Sequence, residues 1–190
     1  ITFWDFFNKC LIQSVKLIKA NKPIVSKVYI PKFILILVKI GVNGFKMFIS
    51  LLIIVAMLAV WRVPITYNVI YIIPILMTLI VLVFGFSCYL LHYGVFVEDL
   101  SNVLNIALRF LFYLTGIFWS IMDRLPAPYN SYIGRCNPIA FLLTSARDCV
   151  IYGSTPHRKL LLLWFVIGLI ISALGVRKIY KNENSYVKVI

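Results

Sequence analysis

Proton-transfer chemistry needs a positioned carboxylate or histidine, and this chain is poor in both. Its 190 residues include two histidines and six acidic side chains, among them His92, Glu98, Asp99, Asp123 and His157. A membrane-bound glycosyl or acyl transferase would have to draw its acid or base from that small set. No HExxH, GxSxG or GxxxxGKS/T pattern occurs. The chain therefore encodes no zinc-peptidase helix, no serine elbow and no phosphate-cradling loop, and no catalytic residue is assigned. The four cysteines, Cys10, Cys88, Cys136 and Cys149, form no CxxC pair. With two histidines they complete no metal site, and they read as small apolar fillers. Cys136 and Cys149 could pair only if both faced an oxidising exterior.

The setting is apolar. Hydrophobic residues make up 62% of the chain and charged residues 13%, against ~45–50% and ~25% in soluble domains. So few charges cannot cover a water-soluble surface of this size. The net charge of +13 would suggest nucleic acid in a soluble protein. Here the basic residues lie outside the apolar runs, which fits loops obeying the positive-inside rule and touching anionic lipid; no nucleic acid is expected.

Five segments must place whatever chemistry exists. In residues 1–19, Trp4, Phe7, Leu11, Val15 and Ile18 recur at helical spacing with Lys9 and Lys16 off the stripe, giving either an amphipathic helix or, preferably, a span with one face against other helices. Residues 21–39 form the most basic connection, with Pro23 and Pro31 as helix breakers. The second segment, 33–61, is long enough to cross, and Lys39 and Lys46 in its first half can snorkel toward the interface. The third, 63–91, has no charged residue; Pro64 suits its start, and Pro74 predicts a kink inside it. A polar connection over 92–105 leads to the fourth segment, which runs to about Met122 with Trp119 at its outer end. Residues 123–159 carry Pro126, Pro128, Pro138 and Pro156 around a short apolar run at 139–143. That run predicts an outer element that dips into the membrane and returns. The fifth segment, 160–176, is uncharged and precedes a basic tail. The uncharged third and fifth segments hold no ionisable relay, so a pump built this way would take its energy from a partner protein.

Orientation follows from the basic residues. Lys9 to Lys46, Arg109 and the tail place thirteen on one side, whereas Arg62, Arg124, Arg135, Arg147, Arg158 and Lys159 place six on the other. The first side is expected to be cytoplasmic, C-terminus included. The fold class expected is an all-α, polytopic transmembrane bundle with an outer re-entrant helical region, packed through small residues such as Gly41, Gly44, Gly85 and Gly168.

In order along the chain come Val28-Tyr29-Ile30-Pro31-Lys32 after the basic loop, FVEDLSNVLNI over 96–106, Leu114-Thr115-Gly116-Ile117, Asn137-Pro138 followed by Arg147-Asp148, and the ending LGVRKIYKNENSYVKVI. These resemble the VYFPR, F-x-R-D-I, LTPI, NP…RD and LG-x-x-x-F elements of the transmembrane permeases of ABC exporters for O-antigen, teichoic acid and related polysaccharides. Glu98 stands where that family has Arg, Gly116 where it has Pro, and Lys32 where it has Arg. The family also has a leading amphipathic helix and a first span, so the resemblance implies an N-terminally incomplete chain. Residues 1–190 would then be one exporter transmembrane domain, spans two to six of six.

The resemblance implies two copies of the permease in a bacterial cytoplasmic membrane and two ABC ATPase subunits that carry the ATP and Mg; this chain would hold no cofactor and no metal. ATPase contact would fall on the loops at 22–32 and 92–101, with Lys27, Tyr29, Pro31, Lys32, Glu98 and Asp99 as coupling residues. On another reading the lysines only satisfy the positive-inside rule and Asp99 only caps the fourth segment. The implied cargo is a polyprenyl-pyrophosphate-linked glycan, which calls for cations against phosphate and aromatic faces against sugar. Lys9, Lys16, Arg135 and Arg147 would supply the first, and Tyr113, Trp119, Tyr129 and Tyr132 the second. Asn137, Pro138 and Asp148 would shape the re-entrant region, with Arg147–Asp148 as an ion pair or cap. An ABC permease for drugs or another lipid is the nearest alternative.

Overall fold

The computed structural model describes residues 1–25, 31–62, 66–117, 134–183 and 186. Among these the fold is helical, without strands. Helix α1 (Thr2–Val15) is followed by two short turns of helix, α2 (Leu17–Ala20) and α3 (Lys22–Val25). Then come α4 (Lys32–Val60), a 3-10 turn over Tyr67–Tyr71, α5 (Ile72–Phe96), α6 (Leu100–Leu114), α7 (Pro138–Val150) and α8 (Arg158–Lys181). Three stretches are long and apolar enough to cross a membrane: Lys32–Val60, Tyr67–Phe96 and Arg158–Lys181. They correspond to the second, third and fifth expected segments. The result is the expected all-α membrane bundle.

The bundle is organised around α5. Its residues Ile75, Leu79 and Leu82 are fully buried, at the three- and four-residue spacing that lines one face of a helix, and Leu91 is fully buried on the opposite face. Helix α8 lies on α5 with almost nothing between the backbones. A side chain at Gly168 would meet Val81 and Leu82, one at Gly85 would meet Ile171 and Ser172, and one at Gly175 would meet Cys88. Ser172 Oγ also donates to the Val81 carbonyl at 3.0 Å. In lipid, where apolar burial between helices gains little, such close approach and interhelical hydrogen bonds hold spans together. On the other side of α5, Gly94 lies directly against the Val15 backbone. Of the four glycines expected at contacts, Gly85 and Gly168 are there. Gly44 touches only the Phe6 ring and Gly41 touches nothing, because α4 packs chiefly on the bulky side of α1 through Ile36, Ile40, Asn43 and Met47.

Helix α1 buries its whole predicted stripe, from Trp4 to Val15, with Ile18 of α2 continuing it. Over the described residues α1 has 14 residues, about 21 Å, and ends where the helix breaks at Lys16; its apolar face is held against the bundle. Pro74 is the third residue of α5, in a first turn whose N–H groups have no intrahelical acceptor. The expected mid-span kink is instead a change from 3-10 to α at the helix start. The polar connection predicted over 92–105 shrinks to residues 97–99, because His92 belongs to α5 and turns inward while Asn102 and Asn105 belong to α6. Helix α6 ends at Leu114 rather than near Met122. Gly116 takes φ +65°, the left-handed conformation that terminates helices and favours glycine. The proline that stands here in the resembled family could not adopt it.

Candidate transport site

Three polar features interrupt the apolar bundle. The first is the free face of α6. Leu104, Leu108, Leu111 and Phe112 face the core, with the Phe112 ring edge-on to Trp4 at 5.5 Å. On the other side Asn102, Ile106, Arg109, Phe110 and Tyr113 are exposed, Tyr113 at 71%. The outward face of α6 thus mixes an amide, a guanidinium and aromatic rings with aliphatic side chains. Tyr113 was expected here. Arg109 carries no site role in the sequence reading, although its spacing of seven from Asn102 and four from Tyr113 places all three on one face.

The second is a seam between α1 and α4. Asp5, Lys9 and Gln13 line the outer face of α1, and Asn43, Lys46 and Ser50 face them from α4. Asn43, 3% exposed, donates through Nδ2 to Gln13 Oε1 at 2.9 Å. Lys9 Nζ lies 3.9 Å from Asp5 Oδ2, with both side chains about half exposed, so this pair adds little stability. Lys46 is fourteen residues beyond Lys32, about 21 Å along the helix. Lys46 is exposed there and borders a small cavity of about 70 Å³. Lys16 is exposed at the break after α1, apart from this group.

The third is the region of α7, which grips the end of α6. Asn137 caps α7, its Oδ1 accepting from the Ile139 and Ala140 amides at 3.1 and 3.3 Å, and Pro138 takes the first helical position where its missing N–H is not needed. Asn137 Nδ2 also donates to Thr115 Oγ1 at 3.3 Å, and Arg147 Nη2 donates to the Ile117 carbonyl at 3.1 Å. Both ends of α7 therefore hold the turn around Gly116. Asp148 contributes its carbonyl, which accepts from the Ser154 amide at 3.0 Å. Burial holds its carboxyl above the usual range, partly offset by Arg147; the two make no ion pair among the described contacts. Beside Arg147 opens an apolar cavity of about 350 Å³, walled by residues such as Phe3, Leu51, Val55, Ile72 and Leu143. Arg135 is exposed and lies elsewhere; its carbonyl accepts from Trp164 Nε1 at 3.3 Å. Cys136 is exposed and Cys149 buried, and they are not joined.

Of the residues expected to couple to an ATPase, Glu98 and Asp99 are exposed in the short α5–α6 turn. Asp99 occupies the N-cap position of α6, but its carboxylate makes no cap hydrogen bond; only its carbonyl is used. Pro31 is the N-cap of α4. Lys32 turns into the bundle and pairs with Glu183 at 2.9 Å. Lys27, Tyr29, Trp119, Tyr129 and Tyr132 lie outside the described residues.

No family model matches the chain. Two proteins from Klebsiella pneumoniae, each an O-antigen export system permease protein RfbA, are 23% and 22% identical to it over 188 residues. The match takes in 98% of this chain and 71% of each relative. This chain is similar to O-antigen export permeases. The match runs over nearly all of its residues.

Proposed function

We propose that this chain is the membrane-spanning permease subunit of an ATP-driven exporter that moves lipid-linked polysaccharide across the cytoplasmic membrane. The observation that carries this reading is the end-to-end similarity to O-antigen export permeases in a chain with three apolar spans and no P-loop. ATP and Mg belong to a separate ABC ATPase, which docks at the lysine-rich end near Glu98 and Asp99. Two copies of the permease enclose the path, with the free faces of α6 toward each other. The thirteen-to-six charge asymmetry supports a cytoplasmic location for that end and for the C-terminus.

The cargo is a glycan on a polyprenyl pyrophosphate. Arg109 and Tyr113 suit its phosphate and sugar rings, and the apolar cavity headed by Arg147 suits an isoprenoid tail with its phosphate at the guanidinium. The test is depletion of the chain in cells that display such a glycan. Surface glycan should fall and lipid-linked intermediates should accumulate inside; undiminished surface glycan would contradict the proposal.

A further inference from the structure

The stretch after α8 is polar in sequence, yet two of its residues are buried. Glu183 is 7% exposed and Tyr186 is 0% exposed. Glu183 Oε1 meets Lys32 Nζ, at the first residue of α4, at 2.9 Å. The Tyr186 hydroxyl lies 2.7 Å from His92 Nδ1, near the end of α5. Burial first, and the Glu183 carboxylate second, hold the Tyr186 phenol above its ordinary range. The Tyr186 ring also packs on His92 and Phe96, with centroids at 5.8 and 6.1 Å. Two further links join the same helices: Phe33 lies against Tyr180, and Lys178 Nζ donates to the Tyr93 hydroxyl at 2.7 Å.

A buried ion pair is an expensive way to gain stability, because desolvation offsets much of the attraction; its best-attested use is to fix one arrangement over others. The arrangement fixed here is specific. Lys32 follows directly on the basic connection before α4, and Phe96 leads directly into the turn that carries Glu98 and Asp99. Elsewhere α4 leans mainly on α1 rather than on α5. We propose that Glu183 and Tyr186 are positioning residues that clasp the start of α4 to the end of α5, so that a push on either connecting loop moves both spans as one body. This deepens the export reading and rests on it: the clasp joins the two segments on which the ATPase would act, and rigid elements of this kind transmit small displacements.

The permease assembled with its ATPase in membrane vesicles provides the test, with ATP hydrolysis and glycan export read side by side. Glu183→Gln and Tyr186→Phe should leave hydrolysis within about twofold of wild type while export falls about tenfold, so that more ATP is used per glycan moved. The exchange Lys32→Glu with Glu183→Lys should recover most of that loss. Hydrolysis and export falling together, in step with folded protein, would reduce the clasp to a structural role; export unchanged in Tyr186→Phe would overturn it. Should wild type show no ATP-dependent export, the functional reading fails and the clasp is judged by amide hydrogen exchange of the detergent-solubilised chain. Glu183→Gln should then lower protection about tenfold at both 33–36 and 93–97, and loss at one stretch alone would refute it.

Discussion

The contact of α8 with α5 and the outward faces of α4 and α6 are opposite kinds of surface. Between α5 and α8, glycines at 85, 168 and 175 bring backbones together and Ser172 adds a hydrogen bond; no room remains for another partner. On α4, bulky residues such as Phe45, Phe48 and Ile53 point away from the bundle, and Gly41 meets nothing. The free face of α6 adds Arg109 and Tyr113 to the same picture. One interface is complete within the chain. The other surfaces are bare among the described residues, and their chemistry differs: the outer face of α4 is mostly apolar, with Lys46 exposed among its large aliphatic and aromatic side chains, whereas that of α6 mixes Asn102, Arg109 and Tyr113 with Val103 and Ile106.

Substitutions at close contacts should break this contrast most strongly. Gly94→Leu must displace the Val15 backbone, which cannot swing aside, and should cost about 3 kcal/mol or more by thermal unfolding in detergent. A loss below half of that would mean that α1 and α5 are more loosely joined than described. Arg109→Glu probes the open side. Export should fall about tenfold with the melting temperature unchanged, whereas unaltered export would remove α6 from the path. Asn137→Ala takes away the cap of α7 and its bond to Thr115, with an expected destabilisation of about 1 kcal/mol. The smallest effect should come from Gly41→Ala, where stability stays level or rises by up to about 1 kcal/mol as helix propensity improves; a clear loss would show that α4 is tightly covered at that point.

The three long helices were legible because uninterrupted apolar runs of that length have few other outcomes, and the α1 stripe was legible because its period is helical. The end of α6 was harder. The apolar run continues past Gly116, and only a C-terminal glycine in the left-handed conformation distinguishes a stop from a longer span. The α1–α4 seam was hidden for a different reason. Asn43 and Lys46 become part of a polar group only when tertiary packing places Lys9 and Gln13 opposite them, thirty or more positions away. Glu183 and Tyr186 drew no role of their own from the sequence, since nothing local tells an exposed acid from one that finds Lys32. Asn137-Pro138 was expected, through the resemblance, only to shape the re-entrant region; the structure makes it the cap of α7, in keeping with an amide before a proline at a helix start.

The central claim is that these bare surfaces sit in a membrane and border a route for glycan powered from outside the chain. Liposomes carrying the purified chain, its ATPase and a fluorescent polyprenyl-pyrophosphate-linked glycan test it most directly. Glycan should cross only when both proteins and ATP are present. Crossing at the same rate with this chain left out would contradict the account.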